Sequence, residues 1–209
     1  LKTKLASVVV LALAVAPLRA DLIYQSATPG GGPGGTNYLV ASSQFLGVRF
    51  NVLSPVVTTD IGGVFNGISP GGLFGAVVEL SGPGGVPAST DLSSPDVLGA
   101  AVITPTGSVT GDKATLSLAL KPGWYALVYG SGKFGATGVN SAPNTNTDVN
   151  SPSYFFYSSG NSGWSEDSFS HTRFFLEGNA VPEPTSLILT SVGAITIALV
   201  SWRRRKRAI

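Results

Sequence analysis

Leu46-Gly47-Val48-Arg49-Phe50-Asn51-Val52 places an apolar side chain at every second position, and a period of two is the mark of a strand with one face on a core. On this reading Gly47, Arg49 and Asn51 turn to water. The same period returns at Phe74, Ala76, Val78 and Leu80, and again at Leu116, Leu118 and Leu120. Lys121-Pro122-Gly123 then supplies a fixed φ and a free one, which predicts a hairpin into a strand over 124–129. Further strands are expected at 22–26, 56–65, 97–104, 154–157 and 171–177. Before residue 185 nothing holds a 3.6-residue period, and no repeat of fixed length stands out. Short strands between turns rich in Gly, Pro and Asn predict an all-β fold, an antiparallel β-sandwich of jelly-roll-like type over 21–178.

Composition agrees with that fold class. The 209 residues include 27 Gly and 14 Pro with only 11% charged residues, a mixture that helices tolerate poorly. There is room for one domain. No cysteine is present, which excludes disulfides, thiolate metal sites and cysteine nucleophiles. The formal charge of +2 comes from the ends, because eight of the 13 Lys and Arg lie at Lys2, Lys4, Arg19 and 203–207. Residues 21–180 hold five basic and ten acidic side chains, a net −5 that argues against a nucleic-acid partner.

The ends carry targeting patterns. Lys2 and Lys4 precede an apolar run over 5–15, followed by Pro17 and then Leu18-Arg19-Ala20, which predicts a cleaved signal peptide over 1–20. An uncharged run over 187–202, extended to 185–202 by Thr185 and Ser186, is about 24–27 Å long as a helix. It predicts one C-terminal transmembrane helix with Trp202 at the interface. Arg203, Arg204, Arg205, Lys206 and Arg207 form a basic stop-transfer cluster in a cytoplasmic tail over 203–209, which leaves the body facing outward. Residues 179–184 read as the linker.

Val181-Pro182-Glu183-Pro184-Thr185-Ser186, then a short apolar helix, then an arginine cluster, resembles the PEP-CTERM sorting domain of exported bacterial proteins, over 181–209. The resemblance implies that Pro182, Glu183 and Pro184 are recognised by an exosortase-type processing protease. It also implies passage through the inner membrane to the cell surface or an exopolysaccharide matrix. More loosely, Leu46-Gly47-Val48-Arg49-Phe50, the segment 123–130 and the segment 173–178 are similar to uncharacterised β-sandwich ectodomains that precede such tails, with no activity to carry over.

Several motifs within the body suggest chemistry. Gly130-Ser131-Gly132-Lys133-Phe134-Gly135 matches G-x-G-x-x-G, but loop residues follow where a dinucleotide site needs a helix, so it reads as a glycine turn. Gly67-Ile68-Ser69-Pro70-Gly71 matches a nucleophile elbow, yet a strand follows it, and His171 is the single histidine available to any serine. Asn146, Asp148 and Asn150 offer hard oxygen ligands at alternate positions, a weak calcium candidate; Val149 and Phe155 stand where an EF-hand needs glycine and an acid. An Asn-rich turn is the plainer reading. Tyr154, Tyr157 and Trp164, set among Ser, Asn and Gly, form a candidate carbohydrate-binding face, since a pyranose face is apolar and its rim is polar. The plainer reading is core packing. Glu166 and Asp167 are neighbours in sequence, so on a strand they point to opposite faces and make no glycosidase pair.

These readings favour a non-enzymatic surface or matrix protein without a cofactor, in contact with extracellular polysaccharide. A carbohydrate-binding module is the alternative, and a secreted hydrolase comes last.

Overall fold

The computed structural model describes residues 20–30, 37–166 and 170–181, and every helix-or-strand element among them is a strand. The expected signal peptide up to Arg19, the Pro182-Glu183-Pro184 motif, the expected helix over 185–202 and the basic cluster after it lie outside the described residues. Among the described residues no helix is long and apolar enough to cross a membrane.

Two antiparallel sheets face one another. The first orders β1 (Asp21–Gln25), β14 (Phe174–Ala180), β4 (Val56–Gly63) and β8 (Asp112–Thr115), with β9 (Ala119–Leu120) also on β4. The second orders β13 (Trp164–Glu166), β12 (Ser153–Ser158), β3 (Gln44–Val52), β10 (Gly123–Gly130), β6 (Leu73–Leu80) and β7 (Val97–Ile103). A small third sheet joins β2 (Asn37–Val40), β11 (Asn140–Pro143) and β5 (Asn66–Gly67) at the end where β3 begins and β10 finishes.

Between the two large sheets, Leu46, Val48 and Phe50 of β3 and Leu127 and Tyr129 of β10 meet Tyr24, Ile61, Phe174 and Leu176 from the first sheet. The predicted period of two in β3 is what puts this row on one face. Aromatic pairs bridge the gap: Tyr129 stacks on Phe174 at 4.4 Å and Tyr24 on Phe50 at 5.0 Å. The Tyr129 hydroxyl also donates to Gly62 O at 2.7 Å, tying β10 to β4.

On the opposite face of β3, Asn51 is exposed as the alternation predicts, but Gly47 and Arg49 are buried. Phe45, Phe74, Ala76, Val78, Ala126, Val128 and Phe155 form a second core on that face, closed over by Leu92, Ala136 and Trp164. Gly47 is required there, because a Cβ at that position would run into the Phe155 ring. Burial on both faces explains why β6 and β10 are apolar in both phases of their alternation.

The predicted hairpin at Lys121-Pro122-Gly123 is also replaced. Leu120 pairs with Val56 in the first sheet, whereas Gly123 pairs with Val52 in the second, so the turn carries the chain from sheet to sheet. The cause is competition for partners. Thr58 of β4 holds the preceding segment, accepting from Leu118 N–H at 2.9 Å and donating to Leu116 O at 2.5 Å. β10, in turn, is claimed by β3 on one side and β6 on the other.

The last strand starts later and runs further than predicted. His171 has φ 61°, off the extended region, and β14 continues through Asn179 and Ala180, which the sequence placed in the linker. Val181 N–H donates to Pro55 O at 2.9 Å, extending the pairing by one more residue.

Candidate functional site

Tyr154 and Tyr157 are three apart on β12, so the pleat sends them to opposite faces. Tyr154 is 5% exposed in the core between the sheets, and its hydroxyl lies 2.9 Å from Thr172 O and 3.0 Å from the Asp148 carboxylate. Tyr157 and Trp164 stand opposite one another on β12 and β13, half-buried on the second core. Trp164 packs edge-on to Phe155 at 5.3 Å and donates its indole N–H to Ser89 O at 3.3 Å. The three predicted residues therefore share no single exposed face, and Trp164 helps to hold the 81–96 segment down.

Asn146, Asp148 and Asn150 are each engaged within the protein. Asp148 Oδ1 accepts the His171 backbone N–H at 2.7 Å and its Oδ2 lies 3.6 Å from His171 Nδ1. Asn150 donates to Gln25 O at 3.0 Å, and Asn146 Oδ1 accepts from the Thr147 hydroxyl at 3.4 Å. This loop seals the end of β1, with Val149 N–H on Ser26 O at 2.9 Å. Among the described residues no group of three or more His, Cys, Asp and Glu side chains could hold a metal ion.

The two glycine motifs are turns. Gly132 and Gly135 have φ 77° and 87°, and the turn is closed by Gly132 N–H on Ala136 O and Ala136 N–H on Lys133 O. Ser69 Oγ accepts Val139 N–H at 2.8 Å, so the elbow-like segment fastens a loop beside β6.

Arg49 is the residue that sequence reasoning missed. Expected in water, its side chain is 1% exposed, beneath the second core's rim. Nε donates to Gly85 O at 2.5 Å and Nη1 to Ser153 Oγ at 2.8 Å. Nη1 and Nη2 together grip Glu166 at 2.9 and 2.6 Å, a bidentate pair, and the guanidinium lies 4.7 Å from the Phe155 ring centre. One cation thus joins β3, β12, β13 and the 81–96 segment. Its sequence signal is a lone arginine inside an apolar strand. Glu166→Ala is expected to lower unfolding free energy by about 1–2 kcal/mol, discounted because the carboxylate is largely exposed. The double change Arg49→Met with Glu166→Gln should recover part of that loss, since it leaves no buried charge unpaired. Urea denaturation of the three proteins checks both, and equal midpoints for Glu166→Ala and wild type would refute the role.

A cleft opens beside Arg49. β12 begins at Ser153, opposite Arg49, so residues 50–52 of β3 have no β12 partner. The chain leaves this edge through Asn150 and Ser151, at φ 59° and 46°, a left-handed backbone that costs an L-residue about 1–2 kcal/mol. The resulting space of about 480 Å³ is lined by Ile23 and Tyr24 of β1, Arg49, Phe50 and Asn51 of β3, Trp124, Pro83, Asn150, Ser151 and Ser153. A second hollow of about 290 Å³ continues along β1 and shares Ile23 and Asn51 with the first.

Four buried tyrosines, Tyr24, Tyr125, Tyr129 and Tyr154, have phenol pKa values raised above the usual value, chiefly through desolvation. Tyr129 is the most enclosed; Tyr24 and Tyr154 also feel the Asp148 charge. The Tyr24 hydroxyl is buried with no hydrogen-bond partner among the described residues.

Compared with known proteins, the chain matches no family model and no curated protein.

Proposed function

We propose that this chain is an exported cell-surface or extracellular-matrix protein whose β-sandwich body binds rather than catalyses. In this reading residues 1–20 direct export. An exosortase-type protease recognises Pro182, Glu183 and Pro184, and the helix over 185–202 with its basic cluster at 203–207 holds the chain in the inner membrane until the tail is removed. The jelly-roll-like description of the body belongs to the same proposal and is supported by the sheet-to-sheet turn at Lys121-Pro122-Gly123.

The observation that best supports this reading is the pairing of Asp21 with Gly178. β1 starts at the residue after the proposed signal cut, and β14 stops just before the proposed sorting motif. Both connections to the targeting segments therefore leave from the same end of the same sheet. A body joined in this way stands on a bilayer with its opposite end, including the small third sheet, directed outward.

Expression of the full chain in a Gram-negative host with and without an exosortase-type protease tests the reading. The mature product is expected to begin at Asp21. Tail removal should depend on the protease and fail in Glu183→Ala and in a chain lacking 203–207, both of which should remain in the membrane fraction. Recovery of the intact chain from the cytosol, with 1–20 and 185–209 still attached, would overturn it.

A further inference from the structure

We infer that the cleft between β1, β3 and Trp124 is a binding site for a neutral saccharide of mono- or disaccharide size. This goes beyond the export reading and does not depend on it: either can fail while the other stands.

The size is right for a small ligand, since 480 Å³ lies within the range of about 300–1,000 Å³ typical of such sites. The lining has the required mixture. Trp124 sits directly across from Asn51 in the β10–β3 register, and it is half-buried against the second core, which fixes its ring as a rigid platform. An indole presents an apolar, electron-rich face to the C–H groups of a pyranose. Around it stand neutral hydrogen-bonding groups, Asn51, Asn150, Ser151 and Ser153, which suit hydroxyls acting as both donor and acceptor.

Charge decides for a neutral ligand. Among the described residues the single cation in the lining is Arg49, whose side chain is 1% exposed and has four of its five N–H donors committed to Gly85, Ser153 and Glu166, so it is not presented to clamp an anion. It acts on the ligand only through Ser153. Because Ser153 Oγ accepts from Arg49, its own hydroxyl proton is left for donation to an incoming oxygen. Among the described residues no carboxylate lines the cleft. The left-handed pair Asn150 and Ser151 fits as well, since unfavourable backbone conformations collect where a loop is shaped for a ligand. A peptide added along the free edge of β1 is the competing occupant, but backbone pairing would leave Trp124 and the four amide and hydroxyl side chains without a specific task.

The test uses the full-length chain in a zwitterionic detergent without sugar headgroups. It is titrated with neutral disaccharides (cellobiose, maltose, mannobiose, chitobiose), with a glucuronate-containing disaccharide and with an extended heptapeptide. Indole N–H signals and calorimetry are recorded. At least one neutral disaccharide should bind saturably and move the Trp124 indole signal while leaving that of Trp164 in place. Trp124→Ala should weaken binding by about tenfold or more, and Ser153→Ala by a smaller factor. The inference is overturned if no neutral disaccharide saturates, if only the acidic sugar or the peptide binds, or if the Trp124 signal stays still. Should Trp124→Ala fail to fold, the indole shift in the wild-type protein decides alone.

Discussion

Raising the pH from about 9 to about 12 is expected to unfold the body cooperatively, with the loss beginning near pH 10, the ordinary phenol value. Tyr24, Tyr129 and Tyr154 are held protonated in the folded state because an anion there would be stripped of water. Their folded-state values lie above the unfolded one. Below about pH 10 both states keep the protons and the stabilisation is complete. Above that, the unfolded chain releases them first, binds fewer protons than the folded chain, and becomes favoured by about 1.4 kcal/mol per pH unit for each tyrosine. Three such groups together lose about 4 kcal/mol per unit, against a total stability of roughly 5–15 kcal/mol for a typical domain. Tyrosinate absorbance should therefore jump together with the loss of β-sheet circular dichroism. Smooth titration of these three phenols in a body still folded at high pH would refute the assignment. Tyr24→Phe should shift the transition upward at no cost near neutrality, because the hydroxyl it removes has no partner among the described residues.

Phe174→Ala is expected to lower unfolding free energy by about 3–5 kcal/mol, the range for deleting a fully buried aromatic ring. Phe174 is 0% exposed and stands where the two sheets meet. Its ring touches Tyr129 at 4.4 Å, Phe65 at 6.0 Å and Tyr154 at 6.5 Å between centroids. Tyr129 and Tyr154 come from β10 and β12, whose backbones are fixed by their own pairings, and Phe65 comes from the short link between β4 and β5, so the hole cannot close by a small movement. Leu22→Ala, on the exposed part of β1, serves as the control and should change stability by no more than about 0.5 kcal/mol. Denaturant midpoints at neutral pH measure both; a loss below about 1 kcal/mol for Phe174→Ala would mean that the inter-sheet aromatics are not a cooperative cluster.

The strands themselves were legible because side-chain direction is a local property. Leu46, Val48, Phe50 and Val52 do line one core. What alternation could not convey is whether a second layer covers the other face. The available signal lay in Trp124-Tyr125-Ala126-Leu127-Val128-Tyr129, apolar at every position, which is the pattern of a strand enclosed on both sides. The turn at Lys121-Pro122-Gly123 failed as a hairpin for a related reason. Pro and Gly set backbone angles over a few residues, and those angles serve a return to the same sheet or a step to the facing one equally well. At the candidate site, the opposite facing of Tyr154 and Tyr157 follows from parity alone. That Trp124 and not Trp164 borders the cleft depends on where β12 stops along β3, a long-range fact with no local signature.

β14 lies between β1 and β4, so the first strand of the body has its sheet partner about 150 residues downstream; Ser26 Oγ, for example, lies 3.3 Å from Phe174 O across 148 positions. During synthesis β1 must therefore wait, unpaired, until nearly the whole body has left the ribosome. Within the first sheet β4 can pair with β8 and β9 beforehand, but its oldest strand can join only through its newest, β14.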